Sequence, residues 1–507
     1  MAQGQEEVLQ AHHVDEEAAI SPKSEDNGDG VNTPSVNSDN SKTEDVVLDW
    51  ESPNDPENPH SWPLWKKIYH TAIPAFYGFI ITMATSAYVP AIPLVMKAFD
   101  VSREIAVLPL SLYTFGFVLG PIIAGPLSEL YGRRIIYRTS LPLLMTFTAI
   151  SGASNNITQL IVNRLIAGIV GSGALAVGAG TVADSWSPRA NGRAALGFIL
   201  APFLGPALGP IAGAYIIAEY DQNWRWSQWV VLIVAAPVLL LAAFMSETSK
   251  HRILTLRYQK SLGEKTTHQT GDTHLLLLKL RQAIIRPIHM MFLEPLVACL
   301  SIYTGFAFGM IFSFFGSYTF VFSSIYHFSA RETGLTFLGI LVGVLLGALA
   351  FIVFDATLYT RATLTAGTKP APEHRLYAAM LGSVMLPISL FWFAFAPNRD
   401  VHWIVPVLAG VPFGIGNTTI FISVTTYLLD VYQAKNGASA LAANGILRYT
   451  FGAVFPLFTV QMYSAMGVKG AGSVFAGVSC LLMPLPWVFW WWGKGLRERS
   501  RYDTFKG

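Results

Sequence analysis

The sequence predicts an all-α membrane protein with twelve transmembrane helices in two pseudo-symmetric six-helix bundles. Three observations carry that expectation. Hydrophobic residues fill 52% of the 507 positions and charged residues only 13%, against about 25% charged in an ordinary soluble chain. From Ile68 onward, twelve apolar runs follow one another, each close to the ~20 residues a helix needs to cross a bilayer. A polar segment divides them six and six.

The chain opens with an acidic stretch. Residues 1–63 hold fifteen Asp and Glu but two Lys, among many Ser, Asn and Pro. Such a composition cannot bury enough apolar surface to offset its ordering entropy, so it predicts a disordered tail. No basic segment leads into a cleavable apolar run, so the first span is expected to act as an uncleaved anchor.

The first bundle is expected over 64–246, with spans near 70–93, 104–127, 135–153, 158–182, 194–218 and 227–246. The second is expected over 292–492, with spans near 293–317, 334–354, 375–396, 402–428, 438–462 and 470–492. A central loop, 247–291, carries eight Lys and Arg, and 493–507 forms a short tail. In the loop, LLLLKLRQAIIR (Leu275–Arg286) mixes leucine with basic residues. It reads either as a helix lying on the membrane surface or as a solvated basic linker.

Orientation follows from the Lys and Arg of the loops. One side collects 24 of them, beginning with Lys66 and Lys67. The other collects six: Lys97, Arg103, Arg225, Arg331, Arg399 and Lys469. Both termini and the central loop are thus expected in the cytoplasm. The two halves also echo each other. VADSWSPRANGRAAL (Val182–Leu196) follows the fourth span and LLDVYQAKNGASALA (Leu428–Ala442) the tenth. Repeats of this kind mark transporters whose site lies between two halves.

Charge inside a bilayer is costly and points to function. Two cations, Arg164 and Arg448, fall well inside spans. Each either serves the mechanism or pins backbone carbonyls of a neighbouring helix. Carboxylates lie at span ends, and Asp184 is the best candidate to carry a proton, although a helix-end position is equally compatible with a structural role. GPLSELYGRR (Gly125–Arg134) ends the second span. There Gly125 and Gly132 permit close approach or positive φ, while Glu129, Arg133 and Arg134 can pair with each other or with adjoining helix ends as a cytoplasmic gate.

GFILAPFLGPALGPIAG (Gly197–Gly213) places Gly197, Ala201, Gly205, Gly209 and Gly213 every four residues. That spacing makes a small-residue ridge along which another helix packs closely. Pro202, Pro206 and Pro210 form the next row and predict a kinked or pliable helix. The ridge is expected to seal the seam between the bundles.

Aromatic residues crowd the spans, among them Tyr113, Phe117, Tyr303, Phe308, Phe312 and Phe421. Those facing a cavity would bind flat or amphipathic ligands. Asn417 faces the same cavity or bonds a neighbouring helix. Asn156 begins a glycosylation sequon on the outer side. Cys299 and Cys480 lie in apolar runs and suit neither a disulfide framework nor a zinc site. No phosphate-binding GxxxxGK[S/T], HExxH or GxSxG is present, so neither an enzyme nor a cofactor or metal is expected.

These residues resemble the major facilitator superfamily, and within it the twelve-span drug:proton antiporters of fungi. GPLSELYGRR resembles the loop between the second and third helices, with Glu129 where the usual residue is aspartate. NRLIAGIVGSGALA resembles the helix-four signature, in which Arg164 matches the arginine tied to proton coupling. LGPALGPIAG, Leu204 to Gly213, resembles the antiporter signature of helix five. DPENPHSWPLWKK and LRERSRYD also look fungal. The resemblance spans roughly Trp50 to Asp503. It implies the major facilitator fold, alternating access, and export of small hydrophobic compounds against proton entry across the plasma or vacuolar membrane. A functional monomer in a lipid bilayer, with no nucleic-acid partner, is expected. An importer or polyamine carrier stays open as an alternative, although polyamine selectivity would favour carboxylates in the cavity. A membrane sensor would more often carry a folded soluble domain.

Overall fold

In a computed structural model, the structure describes residues 49–505 except 53, 187, 262–271, 368 and 369. Most of the acidic tail, residues 1–48, lies outside the described residues.

Every described span is helical. The first half comprises α1 (Leu64–Ser86), α2 (Arg103–Tyr131), α3 (Arg133–Gly152), α4 (Ile157–Ser185), α5 (Pro188–Glu219) and α6 (Trp226–Ala243). The second comprises α7 (Pro295–Ser324), α8 (Ala330–Ala366), α9 (Pro372–Phe395), α10 (Ile404–Gln433), α11 (436–466) and α12 (468–498). Ten helices among the described residues are long and apolar enough to cross a membrane. α3, with Arg133, Arg134 and Arg138 in its first turns, is a further helix of 20 residues. Asn436–Glu498 is broken at Gly467, φ 71° and ψ 170°, which divides it into α11 and α12. The break needs glycine, because an L side chain is strained at that φ. Between the halves lie two further helices, Lys250–Ser261 and Asp272–Leu293.

The halves repeat in their packing as well as their order. A Cβ added at Gly168 of α4 would stand 2.1 Å from the Tyr113 carbonyl oxygen of α2. In the second half, a Cβ at Gly414 of α10 would stand 2.5 Å from the Ile340 carbonyl oxygen of α8. Both contacts bring backbones together where no side chain fits, the standard use of small residues between membrane helices.

Two ends of the bundle can be told apart by their contacts. At the loop end, the central segment meets α2 and the last residues meet α10: Lys279 Nζ is 3.0 Å from Glu129 Oε2, and the Phe505 amide donates to the Val431 carbonyl at 2.9 Å. At the far end the halves are tied directly. Gln461 Nε2 of α11 donates to Glu104 Oε1 of α2 at 2.6 Å, and Arg331 of α8 pairs with Glu219 of α5 at 3.2 Å.

The last residues of the segment expected to be a disordered tail are folded. Asp55, Asn58 and Trp62 are buried. Arg257 of the central segment reaches Asp55 at 2.7 Å and Glu57 at 2.7 Å. The acidic composition is offset here by one arginine whose planar fork engages two carboxylates.

Candidate functional site

Arg164 sits about 10 Å from the far end of α4, at 1.5 Å per residue. It is 1% exposed. Its Nη1 donates to the Ala84 carbonyl at 2.9 Å and to Gln228 Oε1 at 3.2 Å. Its Nε reaches the Pro109 carbonyl at 3.4 Å and its Nη2 the Thr85 carbonyl at 3.5 Å. The cause lies in α1. That helix ends at Ser86, so the carbonyls of its last turn lack intrahelical donors. A cation at a helix C-terminus satisfies them and meets the negative end of the dipole. Tyr113 and Tyr88 cover the guanidinium, with its carbon 4.5 and 4.9 Å from their ring centres. No carboxylate among the described residues pairs with it.

Arg448 is placed differently. It lies half-buried near the middle of α11. Its Nη2 donates to the Tyr449 hydroxyl at 2.7 Å, while its buried Nε has no hydrogen-bond partner among the described residues. Three rings surround it: Phe421 of α10 at 4.4 Å, Tyr449 at 4.5 Å and Phe308 of α7 at 5.4 Å. These rings continue into the first half. Tyr449 meets Phe117 of α2 at 5.4 Å, edge-on, and Phe421 meets Phe203 of α5 at 4.8 Å. Phe117 in turn packs on Tyr113, and Phe308 on Phe312.

Of the aromatic residues expected at a cavity, Tyr113, Phe117, Phe308, Phe312 and Phe421 join this one ring system. Tyr303 is fully buried within the second half. Asn417 donates to the Ala307 carbonyl, so it ties α10 to α7. Phe203, Tyr449 and Gln228 were not singled out by the sequence. Phe203 and Tyr449 carry a local signal, as large rings beside Pro202 and Arg448.

The loop end is built on Glu247, which follows α6. Its carboxylate accepts the Arg133 amide at 2.8 Å and the Arg134 amide at 3.1 Å, capping α3 at the positive end of its dipole. Gly132 has φ 94°, and a Cβ there would stand 2.3 Å from Glu247 Oε2. Only glycine fits. The Arg133 side chain turns away to Asp184, 3.3 Å at Nε, and to Ser128 Oγ, 2.7 Å at Nη1. Glu129, expected in the same cluster, instead pairs with Lys279. Gly125 has no atom within 4 Å of an added Cβ and no positive φ, so it makes neither the close approach nor the turn that its position suggested.

The second half repeats the arrangement. Arg375, at the start of α9, pairs with Asp430 of α10 at 2.8 Å and with Asp355 of α8 at 2.7 Å. Arg497 of α12 is clamped by Glu373 through bonds of 2.8 and 3.1 Å, all within buried surface.

The glycine ridge of α5 faces a different neighbour from the one expected. A Cβ at Gly205 would stand 2.0 Å from Thr82 Oγ1, one at Gly209 1.9 Å from Ser86 Oγ, and one at Gly213 2.3 Å from the Ala87 carbonyl oxygen. All three belong to the first half, so this ridge seals α5 against α1 and its C-terminal turn. The seam with the second half runs along the next row, where Gly334 of α8 meets Ala214 and the Pro210 carbonyl. Pro206 and Pro210 are buried, and α5 runs as one helix through all three prolines. Gly197 lies exposed outside the contact. Asn156 caps α4, its Oδ1 accepting the Gln159 amide at 2.8 Å.

Comparison with known proteins places this geometry in a family. The chain matches the Major Facilitator Superfamily over residues 75–456. It is 39% identical to polyamine transporter 4 of Saccharomyces cerevisiae, over 90% of this chain and 73% of that protein. It is 33% identical to the efflux pump radE of Floropilus chiversii, covering 90% and 86%. It is 34% identical to the MFS transporter cpaT of Aspergillus oryzae, covering 95% and 97%. The human organic anion transporter MFSD10 shares the fold, with a TM-score of 0.56 at 17% identity over 84% of this chain and all of that one. The chain is therefore a multi-pass membrane protein and belongs to the major facilitator superfamily.

Proposed function

We propose that the protein is a proton-coupled exporter of small hydrophobic or amphipathic organic compounds. The observation that carries the reading is the continuous ring system across the two halves, from Tyr113 and Phe117 through Tyr449 to Phe308. Flat apolar surface at a seam between rocking halves is what an amphipathic ligand requires. Relatives named as efflux pumps support the same direction of transport.

In this reading the loop end faces the cytoplasm, the far end is closed by the Glu104–Gln461 and Glu219–Arg331 contacts, and one chain suffices. Arg133–Asp184 and Arg375–Asp430 are latches at the cytoplasmic end, one within each half. Asp184 is the proposed proton carrier, since protonation removes the charge that Arg133 holds. Arg164 tunes that coupling by fixing α1, α2, α4 and α6 to one another.

The similarity to a protein named polyamine transporter 4 favours a second reading. A polycation needs carboxylates at its site. The span carboxylates among the described residues lie at the two ends of the bundle, and the ring system holds a cation.

The test is export from cells. Expressing the chain in a yeast strain lacking its own drug exporters should lower retention of an amphipathic dye several-fold, and a protonophore should remove the difference. Equal retention with and without the protein, across a chemically broad panel, would refute the proposal.

A further inference from the structure

Arg164 and Arg448 lie deep inside spans, and their surroundings differ. Arg164 spends its donors on two terminal carbonyls of α1, one carbonyl of α2 and Gln228 of α6. Four of its five N–H donors are thereby used. Arg448 keeps a buried Nε without a partner, is bonded to one hydroxyl, and meets no carboxylate among the described residues. A guanidinium cannot shed its charge to relieve such a site. Leaving its donors unmatched in a low-dielectric setting is costly unless a ligand or water completes them. The surrounding rings supply partial compensation through their faces, but a ring face makes no in-plane hydrogen bond.

We infer that Arg448 is the selectivity residue of the ring-lined seam, and that the substrates are aromatic or flat compounds bearing an acidic group. The carboxylate, or an equivalent anionic oxygen pair, pairs with the Arg448 guanidinium, while the flat body lies among Phe421, Phe308, Tyr449 and Phe117. The planar fork of arginine matches a carboxylate in two parallel bonds, which a lysine does not. The inference rests on the transporter reading above and deepens it. It also explains why the same site disfavours a polyamine: two like charges would meet among the rings.

The experiment uses the full chain in detergent micelles and three probes of one size: 1-naphthoate, its methyl ester, and 1-naphthylmethylamine. Binding is read by quenching of the protein's tryptophan fluorescence at pH 7. The acid should bind about tenfold tighter than the ester, the gain of one charge-assisted pair, and the amine should bind weakest. Arg448→Gln should bring the ratio of acid to ester close to one, Arg448→Lys should leave part of it, and the exposed Arg399→Gln should leave it intact. Equal affinity of the wild-type chain for acid and ester overturns the inference whether or not any variant folds. So does tighter binding of the amine, or an unchanged ratio in Arg448→Gln. Failure of the exporter reading shows separately: the acid preference would persist in micelles while cells retain every probe equally.

Discussion

Arg375 Nε lies 2.8 Å from Asp430 Oδ2, the counterpart in the second half of Arg133 and Asp184 in the first. Each pair joins the start of one span to the end of the next, so each half carries its own lock at the loop end. The locks differ in depth. The Arg133 and Asp184 side chains are 20% and 24% exposed, those of Arg375 and Asp430 20% and 15%, and Arg497–Glu373 is nearly dry at 6% and 8%.

That gradient orders three substitutions. Arg497→Ala strands a buried carboxylate and should cost about 3–5 kcal/mol. Lys279→Ala breaks an exposed pair with Glu129 and should cost at most about 1 kcal/mol. Arg375→Ala should fall between. Thermal melting in detergent orders the three; an Arg497→Ala protein as stable as Lys279→Ala would show that burial does not set the cost.

Gly209 and Gly197 occupy the same row of α5 but different surroundings. Gly209→Ala drives a methyl to within 1.9 Å of Ser86 Oγ and should destabilise by about 1–3 kcal/mol through overpacking. Gly197→Ala meets nothing within 4 Å and should be neutral, or stabilising by up to ~1 kcal/mol from helix propensity. Comparing melting temperatures and export rates of the two variants checks this. Native export by Gly205→Leu/Gly209→Leu would overturn the packing of α1 on α5.

Arg164→Ala should abolish export and lower the melting temperature together, because Gln228 and the last-turn carbonyls of α1 lose their donor at about 1–3 kcal/mol for each stranded group. Arg164→Lys should recover little, since one ammonium cannot span acceptors on three helices. Surface expression, melting and export measured on both variants separate folding from transport. Normal export by Arg164→Ala would remove this residue from the mechanism.

The strap of residues 55–57 on Arg257 should be insensitive to pH through the physiological range. Hydrogen bonds from Arg257, then from the Glu57 amide, hold the Asp55 carboxyl below its ordinary value. A depressed carboxylate contributes stability fully above its unfolded pKa, about 3.9, and loses it only as pH falls through the depressed value. Amide protection over residues 55–62, taken relative to the intrinsic base-catalysed exchange rate at each pH, should therefore stay constant from pH 5 to 8 and fall in Arg257→Ala. A loss of protection in the native strap between pH 6 and 7 would contradict the assignment.

What the sequence determined by itself is what depends on local chemistry. Membrane-crossing helices followed from apolar length, because a backbone in lipid must close its own hydrogen bonds. The Gly132 turn and the Gly205–Gly213 ridge followed from glycine geometry, and the Asp184/Asp430 echo from the repeat. Tertiary structure decided what depends on a distant partner. It turned the glycine ridge toward α1, sent Glu129 to Lys279, and set Glu247 beneath α3. It also sorted two arginines that look alike in one dimension. Arg164 is satisfied and Arg448 is left with an unmatched donor because carbonyl oxygens freed at the end of α1 lie beside one and only aromatic rings and a hydroxyl beside the other. The freeing of a carbonyl is written in its own helix; which side chain reaches it is settled only when helices pack.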